Sequence, residues 1–68
     1  MTDTNALKSA IVAKGYTQNE IAAKISISPT SFNYKLNNRR EFKASEISAL
    51  CKILELPDAS IFFAGDVD

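Results

Sequence analysis

An all-α domain of five short helices is the fold this 68-residue chain predicts, and three observations predict it. Residues 17–36, TQNEIAAKISISPTSFNYKL, hold two helix starts eleven residues apart, each with its own cap. Ile47, Leu50, Cys51 and Leu54 fall at i, i+3, i+4 and i+7, the clearest amphipathic stripe in the chain. No stretch alternates apolar and polar residues for long enough to compete as a strand.

The first helix runs from about Asn5 to Lys14. Asp3 or Thr4 can cap it, Leu7, Ala10 and Ile11 form its apolar stripe, and Gly15 ends it as a left-handed residue. The second spans about Gln18 to Lys24, after a capping box, Thr17-Gln18-Asn19-Glu20. There the threonine oxygen accepts the N–H of Glu20 while the glutamate reaches back to the N–H of Thr17, and Tyr16 with Ile21 makes a hydrophobic staple. Ile21, Ala22 and Ile25 face inward. The third helix spans about Pro29 to Asn37. Ser28 caps it, Pro29 takes the first helical position, where no N–H is needed, and Ile27 with Phe32 repeats the staple. Phe32 and Leu36 are its inner pair, at i and i+4. Asn37 and Asn38 then favour a turn. A fourth helix runs from about Ala44 to Glu55, with Lys43 at the cap position and Glu46 in its first turn. Pro57 prevents its continuation, Asp58 caps a last short helix over about 59–64, and Gly65 stops it.

The bulk properties narrow the function classes. Residues 1–68 make a single domain, with 46% hydrophobic residues and few glycines and prolines, which excludes a disordered chain. One cysteine cannot form an internal disulfide, so a reducing compartment fits. With no signal segment and no apolar run of membrane-spanning length, the expectation is a cytoplasmic protein that meets no membrane. The absence of histidine removes the usual neutral-pH base and the usual metal ligand, and no glycine-rich phosphate loop is present. An enzyme is not expected, nor a metal or cofactor. The net charge is zero, but its distribution is uneven. From Lys24 to Lys43, five bases (Lys24, Lys35, Arg39, Arg40, Lys43) face a single acid, Glu41, a local balance of +4. From Glu55 onward Glu55, Asp58, Asp66 and Asp68 stand without a base. A basic middle and an acidic tail suit one-sided attraction to phosphates. About four residues separate the second helix from the third, so residues 17–37 carry a helix-turn-helix signature. That motif most often places its second helix in the major groove of DNA.

The carriers of a wider resemblance are Thr17-Gln18-Asn19-Glu20-Ile21-Ala22, the stretch from Ser28 to Leu36, and the LCKILELP run from Leu50 to Pro57. Through them the chain resembles the small helix-turn-helix repressors of phages, the Cro and CI (XRE-like) type, over roughly residues 5–64. Ala22 stands where that family keeps a small residue so that the two helices can approach. The resemblance implies a compact, five-helix, lambda-repressor-like DNA-binding domain. It also implies a Cro-like phage or prophage repressor acting in the cytoplasm of a bacterial host cell, with a near-palindromic double-stranded operator as its partner. Two features depart from the family. Ser26 occupies the turn position usually held by glycine, and the total charge is neutral where many relatives are basic. The second departure lowers the affinity expected from counterion release.

If the third helix enters the major groove, Pro29, Thr30, Asn33 and Tyr34 form its outward, base-reading set. Asn33 can bond bidentately to adenine, while Thr30, Pro29 and the Tyr34 ring can meet a thymine methyl. No arginine stands among them, so the reading should favour A·T pairs, with Lys35 the exception if it turns to a base. Phosphates would be held by Gln18, Ser28, Lys35, Asn37, Asn38, Arg39, Arg40 and Lys43. Against these stand plainer uses: Asn33 solvated, Tyr34 packed over a neighbouring stem, Ser28 only a cap, and Cys51 a small buried hydrophobe. Of Phe62 and Phe63, one is expected to close the core and the other, with Ile61 or Val67, to form a two-fold contact. Ile61, Phe62 and Phe63 are therefore candidate dimer residues, in a weak homodimer or a monomer that pairs on DNA. Only three residues follow Gly65, too few for the extra strand some Cro proteins use to dimerise. The alternative reading is a protein-interaction module that binds and modulates another phage repressor.

Overall fold

Helices this short persist only if their ends are satisfied and one face is buried, and both conditions are met in the described residues. The structure is a computed structural model that describes residues 1–65; Asp66, Val67 and Asp68, with the expected roles of Val67 in pairing and of the two aspartates in the acidic tail, lie outside the described residues. Four α-helices follow one another: α1 (Thr4–Ala13), α2 (Gln18–Lys24), α3 (Pro29–Leu36) and α4 (Ala44–Ile53). The fifth expected helix is a single 3-10 turn, Ser60–Phe63, with no strand among the described residues. Asp58 accepts the Ser60 N–H at 2.9 Å, but the chain turns too tightly there to begin an α-helix. The radius of gyration, 10.9 Å, is that of a close-packed chain of this length.

The helix starts use the caps read from the sequence. Asp3 accepts the Ala6 N–H, Thr17 and Glu20 form the reciprocal box, and Ser28 accepts the Ser31 N–H. Every helix end is also closed in one way, a Schellman motif. The residue after the cap turns left-handed at Gly15, Ser26, Asn38 and Glu55. The next N–H then returns to the carbonyl five residues back: Tyr16 to Ile11, Ile27 to Ala22, Arg39 to Tyr34 and Leu56 to Cys51. Three of these four left-handed positions lack glycine; asparagine tolerates the conformation at position 38, so the local strain falls on Ser26 and Glu55.

The core is drawn from every element. Leu7 and Ile11 of α1, Ile21 and Ala22 of α2, Phe32 and Leu36 of α3, and Leu50 of α4 are all buried, with Leu54 at the end of α4. Two phenylalanines outside the α-helices complete it. Phe42, in the α3–α4 connection, meets Phe32 edge-on at 5.9 Å and Phe62 edge-on at 5.4 Å. Phe62 is 4% exposed, so of the two phenylalanines it is the one that closes the core, and its inclusion among the candidate dimer residues is corrected accordingly. Ile61 packs half-buried against the same cluster, and Phe63 remains 50% exposed. Cys51 is half-buried, its thiol 3.7 Å from the Asp58 carbonyl.

Two polar devices tie α3 to its surroundings. Residues 2–4 form a clasp: the Thr2 N–H donates to Asn38 Oδ1, Asn38 Nδ2 donates to the Thr2 carbonyl, and Thr4 Oγ1 donates to the Leu36 carbonyl. The Asp3 N–H donates to the Ile61 carbonyl, so the clasp also reaches the 3-10 turn. The second device is an ion pair between α3 and α4. Lys35 Nζ donates to both carboxylate oxygens of Glu46, at 2.7 and 2.8 Å, with each residue only 7% exposed. Burial pushes the Glu46 carboxyl up. The Lys35 hydrogen bonds, the Lys43 N–H and the charges of both lysines outweigh that and hold it below the usual glutamate range.

Replacing the strained serine, Ser26→Gly, is expected to stabilise the fold by about 0.5–1 kcal/mol, read as a rise of a few degrees in Tm. Acid is expected to do the reverse. Because the Glu46 carboxyl is lowered in the folded chain, the unfolded chain binds the extra proton first. The stabilisation is thus present above the ordinary glutamate value, near 4.5, and is lost as pH falls through the lower folded value. Urea midpoints that do not move between pH 5 and pH 3 would contradict this.

Candidate nucleic-acid interface

The α2–α3 pair sets the geometry of the candidate face. α2 ends at Lys24, Ser26 turns the chain, and Ser28 starts α3, with the two helices packed against each other. Tyr16 and Ile27, the residues before the two caps, are half-buried against the cluster that holds Ile21 and Phe32, as staples require. With Phe32, Lys35 and Leu36 turned into the protein, the opposite side of α3 is left to solvent.

That side carries Pro29, Thr30, Asn33 and Asn37, all exposed, with Tyr34 half-exposed at its edge. Thr30, Asn33 and Asn37 follow at i, i+3 and i+7, so they stand in one line along the helix. Among the described residues, the side chains of Thr30 and Asn33 have no hydrogen-bond partner within the protein, and their polar atoms are free for a ligand. Asn37 donates its amide to the Asn33 carbonyl at 2.9 Å, which leaves its oxygen as an acceptor.

The loop after α3 is more ordered than its composition suggests. Arg39 and Arg40 both lie over the Tyr34 ring, their guanidinium carbons 5.9 and 5.4 Å from its centroid. In a Schellman ending the residue after the left-handed turn usually makes an apolar contact with the last helical turn. Here that residue is Arg39, and its stacking on Tyr34 takes the place of the apolar contact. Tyr34 is thereby a platform that holds two positive charges beside the exposed line of α3. Lys43 is exposed at the start of α4, and Gln18 is half-buried at the start of α2.

Three expected phosphate ligands are employed otherwise. Lys35, read as surface charge, turns inward to Glu46 and is a correction: it lies at i+3 from Phe32 and next to Leu36, on the buried face. Asn38 spends both amide atoms on Thr2. Ser28 Oγ accepts from the Ser31 N–H and bonds the Ser31 hydroxyl, so capping accounts for it. Lys24 lies 5.2 Å over the Tyr16 ring at the far end of α2. The arrangement therefore brings together Thr30, Asn33, Tyr34, Arg39 and Arg40, and removes Lys35 from them. Glu46 was expected only as an acid in the first turn of α4, not as the partner of Lys35. The signal for it was there: it stands three residues past the cap Lys43, whose side chain can accept nothing, and its carboxylate takes the Lys43 N–H at 2.9 Å.

A shallow, mainly apolar groove runs along α4, lined by Ala44, Ile47, Cys51 and Leu56 with Lys52 and Glu55, and with exposed Phe63 at its rim. No helix among the described residues is long and apolar enough to cross a membrane. No curated protein and no solved structure matches this chain. A family model described as "Protein of unknown function (DUF739)" matches residues 1–64, and the chain belongs to that family.

Proposed function

We propose that this chain is a sequence-specific, double-stranded DNA-binding transcriptional regulator with a lambda-repressor-like helix-turn-helix, most simply a Cro-like phage or prophage repressor. The observation that carries the reading is the exposed line of α3, in which Thr30 and Asn33 have unoccupied polar groups beside two guanidiniums stacked on Tyr34. A helix that presents short hydrogen-bonding side chains while its other face is fixed in a core is what major-groove readout needs. Asn33 and Thr30 would read bases. Arg39 and Arg40, with Gln18, Lys43 and the free oxygen of Asn37, would hold phosphates and set the register.

Pairing on DNA belongs to this reading. A two-fold contact uses one patch on both copies, so the patch must hold both a projection and a recess. Phe63 and the α4 groove supply both side by side, and a second copy of this chain is the occupant we assign to the groove. A small apolar contact of this kind makes a weak dimer that two adjoining half-sites would complete. The same exposed groove also favours the second reading, a module that binds and modulates another phage repressor.

A gel shift over a range of salt, on DNA selected from a randomised duplex pool, separates the two. The DNA reading expects steep salt dependence and a site determined chiefly at A·T pairs. Arg39→Ala should lower the salt slope by about one and weaken all sequences alike. Asn33→Ala should cost about 1–3 kcal/mol on the selected site and relax the preference at one A·T position. No shift at any salt without a protein partner would favour the modulator. In sedimentation equilibrium the free chain should be mainly monomeric at micromolar concentration, with Phe63→Glu abolishing paired occupancy of two half-sites. A tight dimer at nanomolar concentration would overturn the weak-pairing assignment.

A further inference from the structure

We infer that Glu46 is the positioning residue of the reading face, a single buried carboxylate that decides which side of α3 is presented and holds the arginine loop beside it. The inference rests on the DNA reading and deepens it. Glu46 Oε1 accepts from Lys35 Nζ and from the Lys43 N–H, and Oε2 accepts from Lys35 Nζ. Lys35 lies in the last turn of α3, and Lys43 is the cap of α4. The segment between them carries Arg39 and Arg40, so one carboxylate fastens that segment at both ends.

The choice of an ion pair at this place is informative. Apolar contacts are non-directional, and Phe32 and Leu36 alone would accept a modest rotation of α3 in its seat. One residue of register rotates a helix by about 100°, which would carry Asn33 off the exposed line and bring a neighbour onto it. Such a rotation would also take the Lys35 ammonium away from Glu46 and leave two unpaired charges in the interior. The ion pair thus penalises every register but one. A buried pair is seldom needed for stability, since apolar side chains of similar volume often serve as well or better; its best-attested use is to fix register. Here it also consumes the one positive charge of α3 itself, so the helix meets DNA with neutral polar groups only.

The test is the double variant Lys35→Met/Glu46→Leu, which removes both charges and keeps the volume. Its target is the duplex that the wild-type chain enriches from a randomised pool, with a scrambled duplex of equal length as reference. Circular dichroism and thermal melting establish that the variant is folded. The expected result is non-specific affinity within threefold of wild type and a fall of at least tenfold in the ratio of specific to non-specific affinity. A purely structural role would leave that ratio unmoved, so a folded variant with a ratio within twofold of wild type overturns the inference. Should the double variant fail to fold, Glu46→Gln, nearly isosteric, is read by the same ratio with the same two outcomes. A wild-type chain that enriches no duplex overturns the DNA reading and this inference with it. Enrichment by wild type with the ratio retained in the variants overturns this inference alone.

Discussion

Helix length is the constraint on which the structure turns. The α-helices have seven to ten residues, below the roughly 12–15 at which an isolated helix begins to persist in water. None can form on propensity, so each exists because its ends are closed and its inner face is buried. Side-chain caps open α1, α2 and α3, and a backbone-to-carboxylate bond does so for α4. One left-handed ending repeated four times closes them. The strain at Ser26 and Glu55 is a local loss accepted so that neighbouring helices can change direction within a few residues.

The same economy explains the middle of the molecule. The loop from Asn37 to Lys43 contains no helix, yet it supplies a core phenylalanine, a clasp residue and two stacked arginines. In a domain of this size there is too little interior for a connection to be only a connection. Phe42 bridges Phe32 and Phe62, and so joins α3 to the 3-10 turn through aromatic edges. Arg39 and Arg40 lie between the half-buried Tyr34, on which they stack, and the buried Phe42, which anchors the chain just after them.

Much of this was legible in the residues, for reasons that can be named. Caps are short-range chemistry, and Asp3, Thr17, Glu20, Ser28 and Pro29 act within four residues, so the sequence alone located α2 and the start of α3. Periodicity located α4, although Glu55 and Leu54 belong to its left-handed ending and not to the helix proper. What escaped was long-range. Phe42 sits between Glu41 and Lys43, where no period marks it as core. Lys35 looked like surface charge because its partner lies eleven residues on, although its spacing from Phe32 and Leu36 placed it on the inner face. The clasp of Thr2 on Asn38 spans 36 residues and leaves no trace in local pattern. The exposed line of Thr30 and Asn33 followed directly from the inner positions of α3, and the stacking of two arginines on Tyr34 did not.

The clasp has a consequence for how the protein is made. Contacts between α2 and α3 are local and can form while the chain is still emerging from the ribosome. Residues 2–4 are synthesised well before their partners, since Thr2 waits for Asn38 and Asp3 for Ile61. The early segment therefore stays unfastened until Asn38 and then Ile61 have emerged. Until then the end of α3 lacks its clasp and the core lacks Phe62, so a chain that has not yet made this docking exposes apolar surface to protease and aggregation alike.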